Sequence, residues 1–174
     1  QIQLFAPTLL QMAVVNGLYT PSEKTKINFE AAGSKNDVNL FSNIGDDDNE
    51  AFAGHLDIEQ QLFQKDSTAH LNAFGRWDYI QEDFVNQEGL YNVEFNRDWN
   101  LDSELANNNG LLLLGNQSFL TTGINYQKSK LGNFQYQFEH LDFKDSYSGS
   151  RHTLSANLRT KSLRGTVLAS TLNS

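Results

Sequence analysis

Polar and apolar side chains alternate along residues 91–101. The odd positions are apolar except for Arg97, and the even positions are polar, namely Asn92, Glu94, Asn96, Asp98 and Asn100. Because successive side chains of a β-strand point to opposite faces, this period of two predicts a strand with one apolar and one solvated face. At roughly 3.3 Å per residue the segment would span about 36 Å, about twice the usual strand of a globular protein. Such a strand is typical of those that cross a bilayer, so the polar side chains are predicted to face a lumen.

The same alternation recurs, between short polar segments, along most of the chain. Further strands are predicted at residues 27–41, 52–63, 69–80, 111–114, 119–127, 134–143, 154–158 and 167–172. The alternation slips by one residue at His140, which predicts a β-bulge there. Consecutive hairpins without helical crossovers imply an up-and-down arrangement. The predicted fold class is all-β: an antiparallel up-and-down meander of about eight or nine long strands, forming a barrel or part of a barrel.

The meander is assigned to residues 25–174, and residues 1–24 form an N-terminal segment for which the sequence leaves helix and strand open. The chain has no proline after Pro21. This suits continuous strand pairing, because proline removes a ladder donor. No run approaches the 18 apolar residues of a transmembrane helix, so a helical membrane protein is excluded.

Composition and motifs exclude several classes of function. The formal net charge of −8 argues against a nucleic-acid partner, because such proteins present basic surfaces. Cysteine is absent, which removes disulfides, thiol nucleophiles and cysteine-based zinc sites. The sequence contains no nucleophile elbow, phosphate-binding loop or zinc-protease motif. Neither a cofactor nor an enzymatic activity is predicted.

The densest set of metal-ligating side chains is acidic. Asp46, Asp48 and Glu50 fall at alternate positions, as the first ligands of a calcium loop do. However, Ala51 stands where that loop needs glycine, and Asp57 stands where it needs a bidentate glutamate. A solvated acidic loop is therefore the favoured interpretation, and calcium is a weak alternative.

Two further arrangements invite a chemical interpretation. His55 and His70 could face one another across a hairpin, but the sequence specifies no third ligand for zinc. Residues 139–142 (Glu-His-Leu-Asp), and the pair Glu94 and Asp98, resemble acid–base groups. A solvated strand face would place such side chains side by side without any catalytic role, so no catalytic residue is predicted.

Several aromatic residues lie near the ends of the predicted strands. Transmembrane barrels place aromatic girdles at both membrane–water interfaces. On this basis interfacial positions are predicted for Trp77, Tyr79, Tyr91, Trp99, Tyr126 and Tyr136. The alternative remains that aromatic residues favour any strand.

Residues 91–101, 134–143 and 152–158 resemble strands of outer-membrane β-barrel proteins, especially the large asparagine-rich ones of Bacteroidota-type bacteria. The resemblance is in the general pattern of residues and not in a specific motif, and it assigns no functional residue to this chain. It implies a barrel in the outer membrane of a Gram-negative bacterium, acting as a pore, transport or assembly component. The implied partners are the lipid bilayer and other subunits, or the rest of a larger barrel. Such chains commonly end on an aromatic residue, whereas this sequence ends at Ser174, so a segment of a larger barrel is expected.

The alternative is a soluble β-sandwich or β-sheet domain that buries its apolar face and binds a glycan or a protein. Strand length discriminates between the two hypotheses. Strands that span a membrane should reach about 9 residues, whereas strands of sandwiches are mostly shorter.

Overall fold

The computed structural model describes residues 6–41, 49–65, 68–85, 93–101, 115–144 and 146–174. These ranges contain eight strands and one single-turn helix. The elements are β1 (Leu9–Ser22), β2 (Thr25–Asp37), β3 (Glu50–Lys65), β4 (Ala69–Ile80), α1 (Phe95–Asp98), β5 (Gln117–Lys128), β6 (Gly132–Phe143), β7 (Tyr147–Arg159) and β8 (Arg164–Asn173).

All eight strands belong to one antiparallel sheet with the spatial order β1 to β8, so each strand pairs with its neighbours in the chain. The predicted all-β, up-and-down meander is therefore confirmed. In the part of the chain that the structure describes, the sheet is not closed, and β1 and β8 are its two edges. The N-terminal segment, left open by its sequence, supplies the edge strand β1.

The strand register sorts most side chains of β2 to β7 onto two faces of opposite character. The apolar face carries Ile27 and Phe29 of β2, Leu56 and Ile58 of β3, Leu71, Ala73 and Trp77 of β4, Leu120, Ile124 and Tyr126 of β5, Phe134, Tyr136 and Phe138 of β6, and Leu154, Ala156 and Leu158 of β7. The polar face carries Asn28 and Glu30 of β2, His55, Asp57 and Glu59 of β3, Asn72, Arg76 and Asp78 of β4, Thr121 and Asn125 of β5, Gln135, Gln137 and Glu139 of β6, and Arg151, Thr153 and Ser155 of β7. The period of two in the sequence thus predicts the facing of these strands correctly.

The two ends of the sheet differ in the length of their connections. At the short-turn end the strands are joined by residues 23–24, 66–68, 129–131 and 160–163. At the opposite end, the long-loop end, the connections are residues 38–49, 81–116 and 144–146. The helix α1 belongs to the longest of these connections.

The strand predicted for residues 91–101 is wrong over its described part. Val93 and Glu94 lie in a turn, and Phe95–Asp98 form α1. Phe95 and Trp99 are four residues apart, a spacing that places both on one side of a helical turn, and both are buried. Arg97, which interrupts the alternation, is 73% exposed on its side chain. A helical turn accounts for that interruption, and a strand does not.

The predicted β-bulge at His140 is also wrong, because β6 pairs with β5 and β7 through this position without a shift in register. What changes there is polarity. Leu141 and Phe143 lie on the polar face and are buried, since residues of the 81–116 connection cover them. The described irregularities of the ladder lie elsewhere, at residues 61–63 of β3 and at residues 19–22 of β1.

Candidate functional site

The polar face of the sheet lines a groove with a cavity volume of about 1250 Å³. Its lining runs from Met12 and Val14 of β1 across to Gln135, Gln137 and Glu139 of β6. Carboxylate, amide and guanidinium groups occur on the strands between these limits, among them Glu30, Gln61 and Arg76. The groove therefore offers hydrogen-bonding and charged groups to water or to a polar solute.

Cross-strand pairs link the charged groups between β3 and β4. The Nδ1 atom of His55 lies 2.5 Å from Oδ1 of its register partner Asp78. Two residues further along each strand, Arg76 donates from Nη2 to Oδ2 of Asp57 over 3.1 Å. The opposite charges of Arg76 and Asp57, directly across the antiparallel pair, stabilise the sheet modestly. Glu30 lies on the same face with its carboxylate exposed to the groove.

An apolar cluster lies at the long-loop end of the polar face, on β5 and β6. Trp99 is 1% exposed and packs with Phe95 against Leu141 and Phe143 of β6. The Trp99 ring meets the ring of Phe119 edge-on, with centroids 5.6 Å apart. These contacts make the largest buried apolar cluster in the described ranges, and they attach α1 to the sheet.

A network of polar side chains from β6 and β7 contacts the same cluster. Arg151 of β7 donates from Nε to Oε2 of Glu139 over 2.8 Å and from Nη2 to Oε1 over 3.1 Å. Its Nη1 lies 3.5 Å from Oδ2 of Asp98 in α1, and its guanidinium lies 5.0 Å from the centroid of the Trp99 ring. The hydroxyl of Tyr147 donates to the backbone carbonyl of Trp99 over 2.6 Å. Arg151 thus joins the sheet to α1 by an ion pair and by a cation–π contact.

The side chains predicted to line a lumen from residues 91–101 do not share a strand face. Glu94 pairs with Arg97 at 2.6 Å within the α1 region. Asn96 and Asp98 are in α1, Asn100 follows it in a turn, and Asn92 lies outside the described residues. Of the described members, Asp98 contacts the polar face of the sheet, through Arg151.

The predicted interfacial aromatic residues fall into two groups. Four lie on the apolar face of the sheet: Trp77, Tyr79, Tyr126 and Tyr136. Trp77 is 45% exposed there, and its indole N–H donates to Oγ of Ser118. Trp99 is buried on the opposite side, so an interfacial position for it is wrong. Tyr91 lies outside the described residues.

Those metal and catalytic candidates that lie within the described residues are not brought together into a site. Glu50 pairs with Nζ of Lys35 at 3.1 Å, while Asp46 and Asp48 lie outside the described residues. His70 lies at the other end of β4 from Asp78, the partner of His55, so the two histidines do not face one another. Among the residues described, no group of three or more histidine or acidic side chains could hold a metal ion.

The acid–base interpretation of residues 139–142 fails for a geometric reason. Glu139 lies on the polar face and pairs with Arg151, whereas His140 lies on the apolar face and its Nδ1 is 3.0 Å from Oγ of Ser150. The two groups point to opposite sides of one sheet. The sequence did not single out Arg151 or Tyr147, because neither belongs to a motif and their partners are distant in the chain.

Comparison with protein-family models gave no match, and neither did comparison with curated proteins or with solved structures. Among the described residues, the structure has no helix of the length and hydrophobicity needed to cross a membrane. Function must therefore be argued from the two faces of the sheet.

Proposed function

We propose that this chain is an outer-membrane β-barrel protein, or a segment of one, that acts as a pore, transport or assembly component in a Gram-negative bacterium. Its apolar face would contact lipid, and its polar face would line an aqueous lumen. The lipid bilayer is the principal partner. The unpaired edges of β1 and β8 would be completed by other subunits or by the rest of a larger barrel, because unpaired edges are open to further strands.

One observation carries the proposal: no element among the described residues covers the apolar face of the sheet. Exposed side chains recur on that face from one edge to the other, among them Val15, Phe29, Trp77, Ile124 and Val167. Soluble monomers rarely leave contiguous apolar patches beyond a few hundred Å² in water, because burial of apolar surface drives folding. A lipid environment removes this penalty.

The position of α1 counts against the soluble alternative. A β-sandwich or a layered α+β domain covers the apolar face of its sheet with a second layer. Here the described helix packs on the polar face through Phe95 and Trp99, and no described element covers the apolar one. In a soluble domain this apolar face would be exposed to water, and no second layer among the described elements offsets that cost.

Strand length and loop asymmetry add independent support. Each described strand has at least ten residues, from β8 with 10 to β3 with 16, and strands of about 9 to 11 residues suffice to cross a bilayer. Short turns at one end and longer connections at the other are typical of outer-membrane barrels. On that pattern, the long-loop end would be extracellular.

The two tryptophans of the chain provide a direct test, because they lie on opposite faces. The variant Trp99→Phe retains Trp77, and Trp77→Phe retains Trp99. After refolding into phosphatidylcholine vesicles, brominated acyl chains should quench the fluorescence of Trp77 strongly and that of Trp99 weakly. The proposal would be lost if the chain folded and stayed monodisperse in detergent-free buffer, or if bromine quenched neither tryptophan.

A further inference from the structure

The charges of the chain are divided unevenly between the two ends of the sheet. The four short turns, each taken with two residues on either side, hold eight of the 13 lysine and arginine residues but only two of the 21 acidic residues, Glu23 and Asp66. The basic residues are Lys24, Lys26, Lys65, Lys128, Lys130, Arg159, Lys161 and Arg164. The short-turn end is therefore strongly basic in a chain whose formal net charge is −8.

We propose that this end of the sheet binds the anionic headgroup of a phospholipid, and that Lys65 of β3 and Lys128 of β5 are the binding residues. The inference rests on the proposed function, because a headgroup reaches these side chains only where the apolar face lies in a bilayer. It adds the class of lipid that the protein selects. With the long-loop end extracellular, this lipid would belong to the periplasmic leaflet.

Lys65 and Lys128 lie on the same face and at the same level of the sheet. Ala69 of β4 is the register partner of both. The Cα atoms of the two lysines are therefore two interstrand steps apart, roughly 10 Å. Each ammonium group is carried on a flexible four-carbon stem, and the methyl group of Ala69 is too small to separate the two stems. Both ammonium groups can therefore approach one phosphate.

No described neighbour neutralises the two lysines. Both are exposed, and the ion pairs among the described residues involve neither of them. Asp66, which follows Lys65 in the chain, lies outside the described residues. Their row of the apolar face contains no acidic residue and consists of Lys65, Ala69, Lys128, Gly132, Leu158 and Gly165. The positive charge at this level is therefore available to an anion.

The next row of the same face, toward the middle of the strands, is apolar. It consists of Phe63, Leu71, Tyr126, Phe134, Ala156 and Val167. Phe63 is 49% exposed and Phe134 is 39% exposed. A phospholipid presents the same order of groups, an anionic headgroup followed by apolar acyl chains, and basic and aromatic side chains favour that boundary. An acidic soluble protein would match the lysines but would not favour the exposed phenyl rings beside them, so the surface fits a lipid better.

Lys26 provides a matched control for the face of the sheet. It lies beside the short turn of residues 23–24, but it projects from the polar face and lines the groove. Its register partner on β3 is the acidic residue Glu59. Lipid on the apolar face does not reach this side chain. Lys26→Gln therefore removes the same charge from the same end without removing a lipid contact.

The test measures which lipid lies beside the apolar row. Tyr126→Trp in a Trp77→Phe, Trp99→Phe background places a single tryptophan there, two residues from Lys128. The chain is refolded into phosphatidylcholine vesicles that contain a minor fraction of phosphatidylglycerol. Bromine is carried either on the acyl chains of the phosphatidylglycerol or on an equal mole fraction of the phosphatidylcholine. The ratio of the two quenching efficiencies reports the enrichment of the anionic lipid.

We expect brominated phosphatidylglycerol to quench this tryptophan several-fold more strongly than brominated phosphatidylcholine, because an anionic membrane surface favours each nearby lysine by about fivefold. The ratio should fall close to one in the Lys65→Gln, Lys128→Gln double variant and stay unchanged in Lys26→Gln. Raised salt should lower the ratio, since exposed charges are screened.

Equal quenching by the two brominated lipids would overturn the inference, as would a ratio that falls as far in Lys26→Gln as in the double variant. Binding of poly-glutamate to the inserted chain, without a preference for phosphatidylglycerol, would overturn it in favour of an acidic protein partner. Failure of the proposed function has a different signature, because neither brominated lipid would then quench the tryptophan.

A second measurement keeps the inference testable if Tyr126→Trp does not refold. In urea unfolding of chains that keep both native tryptophans, phosphatidylglycerol should stabilise Lys26→Gln more than it stabilises the Lys65→Gln, Lys128→Gln double variant. Equal stabilisation of the two chains would refute the assignment of the two lysines.

Discussion

An arginine in place of Ile124 should distinguish a sheet that faces lipid from one that faces water. Ile124 lies on the apolar face of β5, between Ala73 of β4 and Tyr136 of β6, and is 39% exposed. The next residue, Asn125, lies on the polar face of the same strand. The two positions are adjacent in the chain, but arginines there would project from opposite faces of the sheet. They form a matched pair.

The expected loss of stability follows from the position of Ile124 within the strand. It lies in the inner part of β5, with apolar-face positions on either side of it, and not at a strand end. An arginine on the lipid face costs about 2 to 4 kcal/mol near the bilayer midplane, or about 30- to 700-fold in the folding equilibrium. In water, a substitution at an exposed position usually changes stability by less than about 0.5 kcal/mol. The two hypotheses therefore differ by more than about 1.5 kcal/mol.

Urea unfolding of the chain from phosphatidylcholine vesicles, followed by tryptophan fluorescence, measures this difference. We expect Ile124→Arg to lower the free energy of unfolding by about 2 to 4 kcal/mol, and Asn125→Arg to change it by about 1 kcal/mol or less. Equal stability of the two variants would refute the assignment of the faces. So would a greater loss for Asn125→Arg.

Two further predictions concern the sheet and the docking of α1. Gly132 has a φ of +121°, and a Cβ atom there would overlap the carbonyl of Asn157, so Gly132→Ala should cost about 1 to 3 kcal/mol in the same unfolding assay. Gly165, with open space around it, is the control, and an equal loss for Gly165→Ala would contradict the steric argument. Glu139→Gln should destabilise the docking of α1 on the sheet by about 1 to 3 kcal/mol, because it removes the bidentate partner of Arg151. Chemical denaturation monitored by Trp99 measures this loss, and an unchanged midpoint would exclude a stabilising role for the pair.

Most strands of the sheet were predictable because their two environments differ over most of their length. Position after position on β3 and β4, side chains such as Leu56 and Trp77 alternate with Asp57 and Arg76, and the register brings like residues onto one face. The alternation of polar and apolar residues in the sequence reflects that contrast directly. It carries no information on closure, because the pattern reports the face on which a side chain lies and not whether an edge strand has a further partner.

The error at residues 91–101 has a physical cause. Tyr91, Phe95 and Trp99 recur every four residues, a spacing that fits alternate positions of a strand and successive turns of a helix equally well. Arg97 was the one residue that distinguished the two, since it would have been a charge on an apolar strand face. The sequence could not place Arg151 or Glu139 beside this segment, because their contact with Asp98 and Trp99 depends on the docking of a connection onto a sheet.

The change of polarity in β6 also indicates that a connection docks onto the sheet. On the polar face, apolar side chains occur together at the long-loop end: Ile80 of β4, Phe119 of β5, Leu141 and Phe143 of β6, and Leu172 of β8. A slip in one strand indicates a bulge, but the same change at one level of several neighbouring strands requires an element that covers them. In this protein that element is α1. Leu141 and Phe143 on the polar face therefore mark where Phe95 and Trp99 dock, and the exposed apolar residues on the other face have no such cover within the described chain.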